Sequence, residues 1–303
     1  MIRGSTTVAI TFCFVVSAFA GESNILKVDH ASICASQLDR LRRAFANVKL
    51  TTDYGGPHAS GGTHMALLGF DGGSYLELIA PMKPGGADAS PWGKMIAGDA
   101  GTCAWAVGTN DIQGEVNRLK QAGLSTNGPA AGSRRRPDGQ LIQWQTAQLG
   151  PGGAGSVLPF MIEDKTPREL RVQPSASVRG SGLAGIAVVV IGVNDLDASI
   201  ALFRKAYALP RPEFAEQKEF GARLACFPAT PVILAAPSDH TGWLAKRLEA
   251  YGESPVAFLL GTKDASAVAK KFPLADRGTW FGKNVLWFDP DKLNGVRLGV
   301  IER

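Results

Sequence analysis

Apolar positions along this chain recur in four similar cycles of strand, amphipathic helix and further strands. In the first cycle residues 26–35 alternate as a strand, and Leu38, Leu41, Ala44, Phe45 and Val48 fall at helical spacing. Residues 55–62 are rich in Gly and Pro and read as a loop. Strands over 63–70 and 74–80 flank the hairpin turn Asp71-Gly72-Gly73. The second cycle has a strand over 102–107 and a helix over 112–122, with Asn110 or Asp111 placed to cap it and Gly123 to end it. Its later strands, 141–148 and 157–162, are separated by Gly150-Pro151-Gly152-Gly153. The third has a strand over 183–191, a helix over 196–207 with Asp195 near its cap, and strands over 222–227 and 231–235. The fourth has a strand over 256–261, a helix over 265–272, and strands over 284–289 and 295–301.

The cycles repeat in the order A-B-A-B. Gly-Thr-Asn-Asp after 103–107 matches Gly-Thr-Lys-Asp after 256–260, and Leu-Glu-Leu-Ile-Ala-Pro at 76–81 matches Val-Ile-Leu-Ala-Ala-Pro at 232–237. The shift is about 153–158 residues. This predicts an α+β fold of four βαβββ modules in two domains. Domain one covers 24–165, with modules 24–82 and 101–165. A polar linker covers 166–182, and domain two covers 183–303, with modules 183–238 and 254–303. A doubly wound dinucleotide fold fits poorly, because no G-x-G-x-x-G follows a first strand.

Composition is that of a globular protein, with 45% hydrophobic and 19% charged residues. Residues 1–20 form an export signal: Arg3, an apolar run over 8–16, and Ala18-Phe19-Ala20 as cleavage site. The mature chain is expected to start at Gly21 in a periplasmic or secreted setting, with no membrane span. Cys34, Cys103 and Cys226 remain. Their odd number means at least one free thiol or an intermolecular bond, and their apolar strand settings predict buried free thiols. The net charge is +5, with one dense basic run, Arg134-Arg135-Arg136. No basic stripe with interleaved aromatics accompanies it, which argues against nucleic-acid binding. The run reads as a solvated loop, or as a gate for an anionic substrate.

Several motifs together resemble the glyoxalase-like branch of the vicinal-oxygen-chelate superfamily. They are Asp29-His30, Leu38-Asp39, Gly62-Thr63-His64, Tyr75-Leu76-Glu77-Leu78-Ile79 and Leu158-Pro159-Phe160. The resemblance covers most of 25–165, and reaches 183–303 mainly through the internal repeat. It implies paired modules forming a cup-shaped sheet with a small molecule in the cup. In active members a divalent metal sits there, held by His, Glu or Gln from the first and last strands of each module. Reactions in the family include isomerisation, ring cleavage by oxygen and epoxide opening; other members only bind drugs.

The resemblance puts His30 and Glu77 at the ligand positions of module one. Imidazole and carboxylate suit Zn, Mn, Fe or Ni. Module two has Ala104 and Phe160 at the matching places, and domain two has Val188, Ala257, Ile233 and Gly299. His64 completes a two-His, one-carboxylate set if its strand pairs in the right register; a one-residue slip sends it to the other face. His58 lies in a loop that can overhang the cup. Tyr75 shares the face of Glu77, and Trp105, Phe160 or Trp144 would line an apolar pocket. Each residue has a plainer reading as strand, turn or core. Two main functions follow. One is a metal-dependent lyase, isomerase or oxygenase on a small oxygen-rich or hydrophobic molecule, with Glu77 also available as a base. The other is a metal-free protein that sequesters a small molecule. A purely structural role is the third.

Overall fold

The computed structural model of the protein describes Met1 and residues 26–303. Apart from Met1, the expected export signal at 1–20 lies outside the described residues, as do the first residues of domain one. The first half runs β1 (Val28–Cys34), α1 (Leu38–Asn47), β2 (Asp53–Pro57), β3 (Thr63–Gly69) and β4 (Tyr75–Pro81), then the short helix α2 (Gly93–Ala97). It continues with β5 (Gly101–Gly108), α3 (Ile112–Gln121), β6 (Thr126–Arg135), β7 (Leu141–Leu149) and β8 (Phe160–Asp164). The short helix α4 (Arg168–Arg171) follows. The second half repeats the plan with β9 (Ile186–Gly192), α5 (Leu196–Tyr207), β10 (Glu213–Gln217), β11 (Ala222–Cys226) and β12 (Val232–Pro237). After α6 (Trp243–Tyr251) come β13 (Ser254–Thr262), α7 (Ala265–Lys271), β14 (Leu274–Trp280), β15 (Lys283–Phe288) and β16 (Leu298–Glu302).

Two eight-stranded sheets result, ordered β2-β3-β4-β1-β5-β8-β7-β6 and β10-β11-β12-β9-β13-β16-β15-β14. The identical order is the duplication in structural form: an α+β fold of two cup-shaped, vicinal-oxygen-chelate-type sheets. In each, two modules meet at a central antiparallel pair, β1 with β5 and β9 with β13. The repeated Gly-Thr-x-Asp is the turn from that central strand into the next helix. Thr109 and Thr262 hydroxyls accept from the amides of Asp111 and Asp264. Those aspartates then cap α3 and α7 by accepting from the amides of Gly114 and Ala267, each at 2.8 Å.

One continuous apolar core runs through both sheets and the helices α1, α3, α5 and α7, built around side chains such as Phe45, Trp105, Phe203 and Phe258. Aromatic side chains pack against the concave side of the second sheet. Phe220 meets Trp243 and Trp280 edge-on at 5.0 Å, and the Arg297 guanidinium lies 3.7 Å from the Trp243 ring centre. Val188, Ala257 and Ile233 belong to the same buried cluster, and Val188 and Ile233 also line a cavity of about 800 Å³ with no histidine among the described residues that line it.

The structure corrects three expectations. β2, β6, β10 and β14 lie where the hydrophobic pattern shows loops or nothing. They are the outer strands of the sheets and carry few buried side chains, so alternation is weak in them. The cysteines are not all free thiols: Cys34 on β1 and Cys103 on β5 form a disulfide that ties the modules together, and Cys226 is free. Trp105 does not line the cup. In the β1–β5 register Ser32 faces Ala104 and His30 faces Ala106, so Trp105 between them points the other way. It is fully buried, stacked on Phe203 at 6.5 Å, with its indole N–H donating to the Val157 carbonyl.

Among the described residues no helix is long and apolar enough to cross a membrane.

Candidate active site

The concave face of the first sheet holds a cavity of about 220 Å³. Strand alternation puts His30 on β1 and Tyr75 and Glu77 on β4 toward it; the parallel register pairs His30 with Tyr75 and Ser32 with Glu77. Met65, Trp92, Trp144, Phe160 and Ile162 supply most of its apolar wall. The loop after β8 is not part of this wall, but the glycine loop before it is: Gly155 has φ +69°, and a Cβ there would lie 2.6 Å from the Trp105 carbonyl oxygen. Only glycine lets that loop close on β5.

His30 is held on three sides. Its ring stacks on Tyr75 at 4.7 Å and meets Phe160 edge-on at 5.3 Å. Its Nδ1 is 2.6 Å from Asp29 Oδ1, and an ionised carboxylate only accepts, so Nδ1 carries the proton and donates. Nε2 faces Glu77 Oε2 at 3.6 Å, beyond hydrogen-bond reach. Asp29 is itself buried. Burial alone would raise its pKa, but hydrogen bonds from His30 and Arg171 and the Arg171 charge hold the carboxyl well below the usual range.

Glu77 is approached from the other side by His58. Its Nε2–H donates to Glu77 Oε1 at 3.3 Å, and its Nδ1 accepts from the Thr63 hydroxyl at 2.8 Å. Burial pushes the Glu77 carboxyl up. The His58 hydrogen bond and the charges of His30, His58 and Arg134 outweigh this and hold it down to about 2. Ser32 Oγ, fully buried beside this carboxylate in register, has no hydrogen-bond partner.

His64 is not at the site. The β3–β4 register pairs Leu67 with Glu77 and His64 with Ala80. Met65 and Leu67 therefore face the cup and His64 faces away, its Nδ1 3.5 Å from the Tyr54 hydroxyl. Its place beside Glu77 is taken by His58, which the sequence reading left in an overhanging loop. Two arginines from polar segments also reach the cavity. Arg134 lies on β6, not in a solvated loop, and Arg171 lies on α4 within the expected linker. Both are buried. Charge in a Gly/Pro-rich stretch carries no local signal of burial, so neither was identifiable beforehand, though the anionic-gate reading had touched Arg134.

Imidazoles and a carboxylate are donor types that suit a transition metal. Their arrangement does not fit one held as the family resemblance implies. His30 and His58 address different oxygens of Glu77, and module two faces the cup with Ala104, Ala106, Phe160 and Ile162. Among the described residues no group of three or more His, Cys, Asp or Glu is gathered as a metal site.

Solved structures with the same fold cover nearly the whole chain. A hypothetical protein from Staphylococcus aureus aligns over 92% of this chain and 100% of its own, with 15% identity and a TM-score of 0.59. A 4-hydroxymandelate synthase variant from Streptomyces coelicolor aligns over 92% of this chain and 93% of its own, with 14% identity and a TM-score of 0.59. Methylmalonyl-CoA epimerase from Mycobacterium tuberculosis aligns over 44% of this chain and 94% of its own, with 23% identity and a TM-score of 0.36. No curated protein matches the sequence. The family model described as a glyoxalase-like domain matches residues 28–207, more than half of the chain. With the duplicated cup-shaped sheets, that match makes this chain a member of the glyoxalase-like domain family, within the vicinal-oxygen-chelate superfamily.

Proposed function

We propose that the protein is an exported glyoxalase-like enzyme that binds a small molecule with an apolar body in the cup of its first sheet and moves a proton on it. The observation that carries this reading is the Asp29–His30 pair. Asp29 fixes the tautomer and ring orientation of His30, Tyr75 and Phe160 clamp the ring, and Nε2 faces the cavity with no hydrogen bond of its own. An oriented imidazole with a free nitrogen can take a proton from an acidic C–H or O–H and return it. Glu77, ionised beside it, stabilises positive charge that forms on the ring.

Two features support export. The first twenty residues have the pattern of a cleaved signal, and disulfides such as Cys34–Cys103 persist mainly in oxidising compartments.

The test is exchange of α-protons in D2O, followed by NMR on small aldehydes, ketones and 2-oxo acids, with His30→Gln and Glu77→Gln as comparisons. Catalysed exchange of at least one compound is expected, slowed roughly 10²–10⁴-fold in His30→Gln. Tight binding without exchange would remove the chemistry and leave the cup as a sequestering site. Exchange as fast in His30→Gln as in the wild type would remove His30 from its role.

A further inference from the structure

Arg134 is a buried cation in the wall of the cavity with no carboxylate at ion-pair distance among the described residues; Glu77 acts on it only from farther off. Arg134 is 5% exposed and lines the cup. Its Nη1 donates to the Gly55 carbonyl at 2.6 Å and its Nη2 to the Arg171 carbonyl at 2.9 Å. The first bond ties β6 to β2 and the second ties β6 to α4, and together they leave three of the five guanidinium N–H groups unspent. Among the described residues Arg134 forms no ion pair.

Arg171, in the same wall, is the contrast. All five of its N–H groups are taken, by Asp29, Asp164 and the Tyr75 hydroxyl. It has nothing left for a ligand. The other charges around the cup are also matched. Asp29 and Asp164 are bound by Arg168 and Arg171, and Glu77 is bound by His58 and flanked by His30. Taking an arginine out of water without an ion pair is costly; here Glu77 compensates the charge only from a distance, and the guanidinium stands in the cup wall.

We infer that Arg134 receives the anionic head of the ligand, a carboxylate, and that the ligand is a small organic acid with an aromatic or branched apolar body. This rests on the reading that the cup is the ligand site. A planar carboxylate matches the geometry of a guanidinium edge, and Thr146 and Gln148 on β7 stand in the same wall as neutral partners. The body faces Trp92, Trp144 and Phe160. The Trp92 indole N–H is already donated to the Ala154 carbonyl at 2.9 Å, so that ring offers only an apolar surface. The acid enters with its body toward His30 and its carboxylate toward β6, where the Arg134 charge offsets that of Glu77. The reacting C–H then lies between the two ends.

The experiment is calorimetric titration of the mature protein with benzoate, phenylacetate and 3-methylbutanoate, each matched by its neutral amide, on wild type, Arg134→Gln, Arg134→Lys and His30→Gln. At least one acid should bind wild type on the order of tenfold or more tighter than its amide, the worth of a charged hydrogen bond. Arg134→Gln should remove that margin, and His30→Gln should keep it. Arg134→Lys keeps the charge if Arg134→Gln does not fold; it should weaken acid binding and leave the amide unchanged. Equal binding of acid and amide, an undiminished margin in Arg134→Lys or Arg134→Gln, or no acid bound at millimolar concentration would overturn the inference. Acid binding without proton exchange would leave it standing and remove only the acid–base reading. Exchange on neutral compounds with no preference for acids would do the reverse.

Discussion

Arg171 on α4 grips Asp29 on β1 through two parallel hydrogen bonds of 2.9 Å, across 142 residues of sequence. Both side chains are 4% exposed. The grip fixes the carboxylate that orients His30, so a short helix in the segment that joins the two sheets along the chain sets the geometry of the site in the first.

Breaking this pair strips the buried Asp29 carboxylate of its two parallel bonds, leaving it Arg168 and His30, and leaves Asp164 without its shorter arginine contact. Arg171→Ala should destabilise the protein by about 3–5 kcal/mol, measured by urea unfolding. Asp29→Asn with Arg171→Gln, which removes both charges, should recover part of that loss. A change under about 0.5 kcal/mol in the single variant, the size expected of an ordinary surface substitution, would show that the pair is not formed as described.

Glu77 makes stability depend on pH. Its carboxyl is held down to about 2 in the fold, against an ordinary value of 4.5. A depressed carboxylate contributes stability above its unfolded value and loses it as pH falls through the folded one. The urea midpoint should therefore fall between about pH 4.5 and pH 2, and less steeply in Glu77→Gln. Asp29, also lowered, keeps part of the slope in that variant. Identical profiles for wild type and Glu77→Gln would contradict the buried, ionised Glu77.

The Cys34–Cys103 bond closes a loop with a sequence separation of 69. Replacing both by Ser should cost about 2–4 kcal/mol, again by urea unfolding. In unreduced mature protein a thiol reagent should label Cys226 alone, which peptide mass spectrometry can check. Labelling of Cys34 or Cys103 without reductant would show the bond absent.

Chelation should leave the fold intact. Protein purified without a His tag and dialysed against EDTA should melt within about 1 °C of untreated protein, since a ligand that binds only the folded state would raise its melting temperature. A fall of several degrees, restored by Zn, Mn, Ni or Fe and absent in His58→Ala, would bring His30, His58 and Glu77 together on a metal after all.

The α+β class, the four modules and their duplication were legible in the sequence, as were the positions of His30, Tyr75, Glu77 and Phe160. All of these rest on local rules. Alternation assigns a face to each residue of a central strand, caps mark helix starts, and a repeat marks a duplicated unit. Alternation also argued against Trp105 in the cup once Ala104 was put there.

Tertiary structure decided the rest, because each part depends on distant strands. The β3–β4 register turned His64 outward and left Glu77 to His58, whose loop has no periodicity to read. Curling of the sheet brought β6 to β2 and buried Arg134 against the Gly55 carbonyl. α4 carried Arg171 into the cup wall beside Asp29, and antiparallel pairing of β1 with β5, irregular at Cys103, brought Cys34 within bonding distance of it. Burial of a charged or polar side chain is set by what folds over it, and that information lies in residues far along the chain.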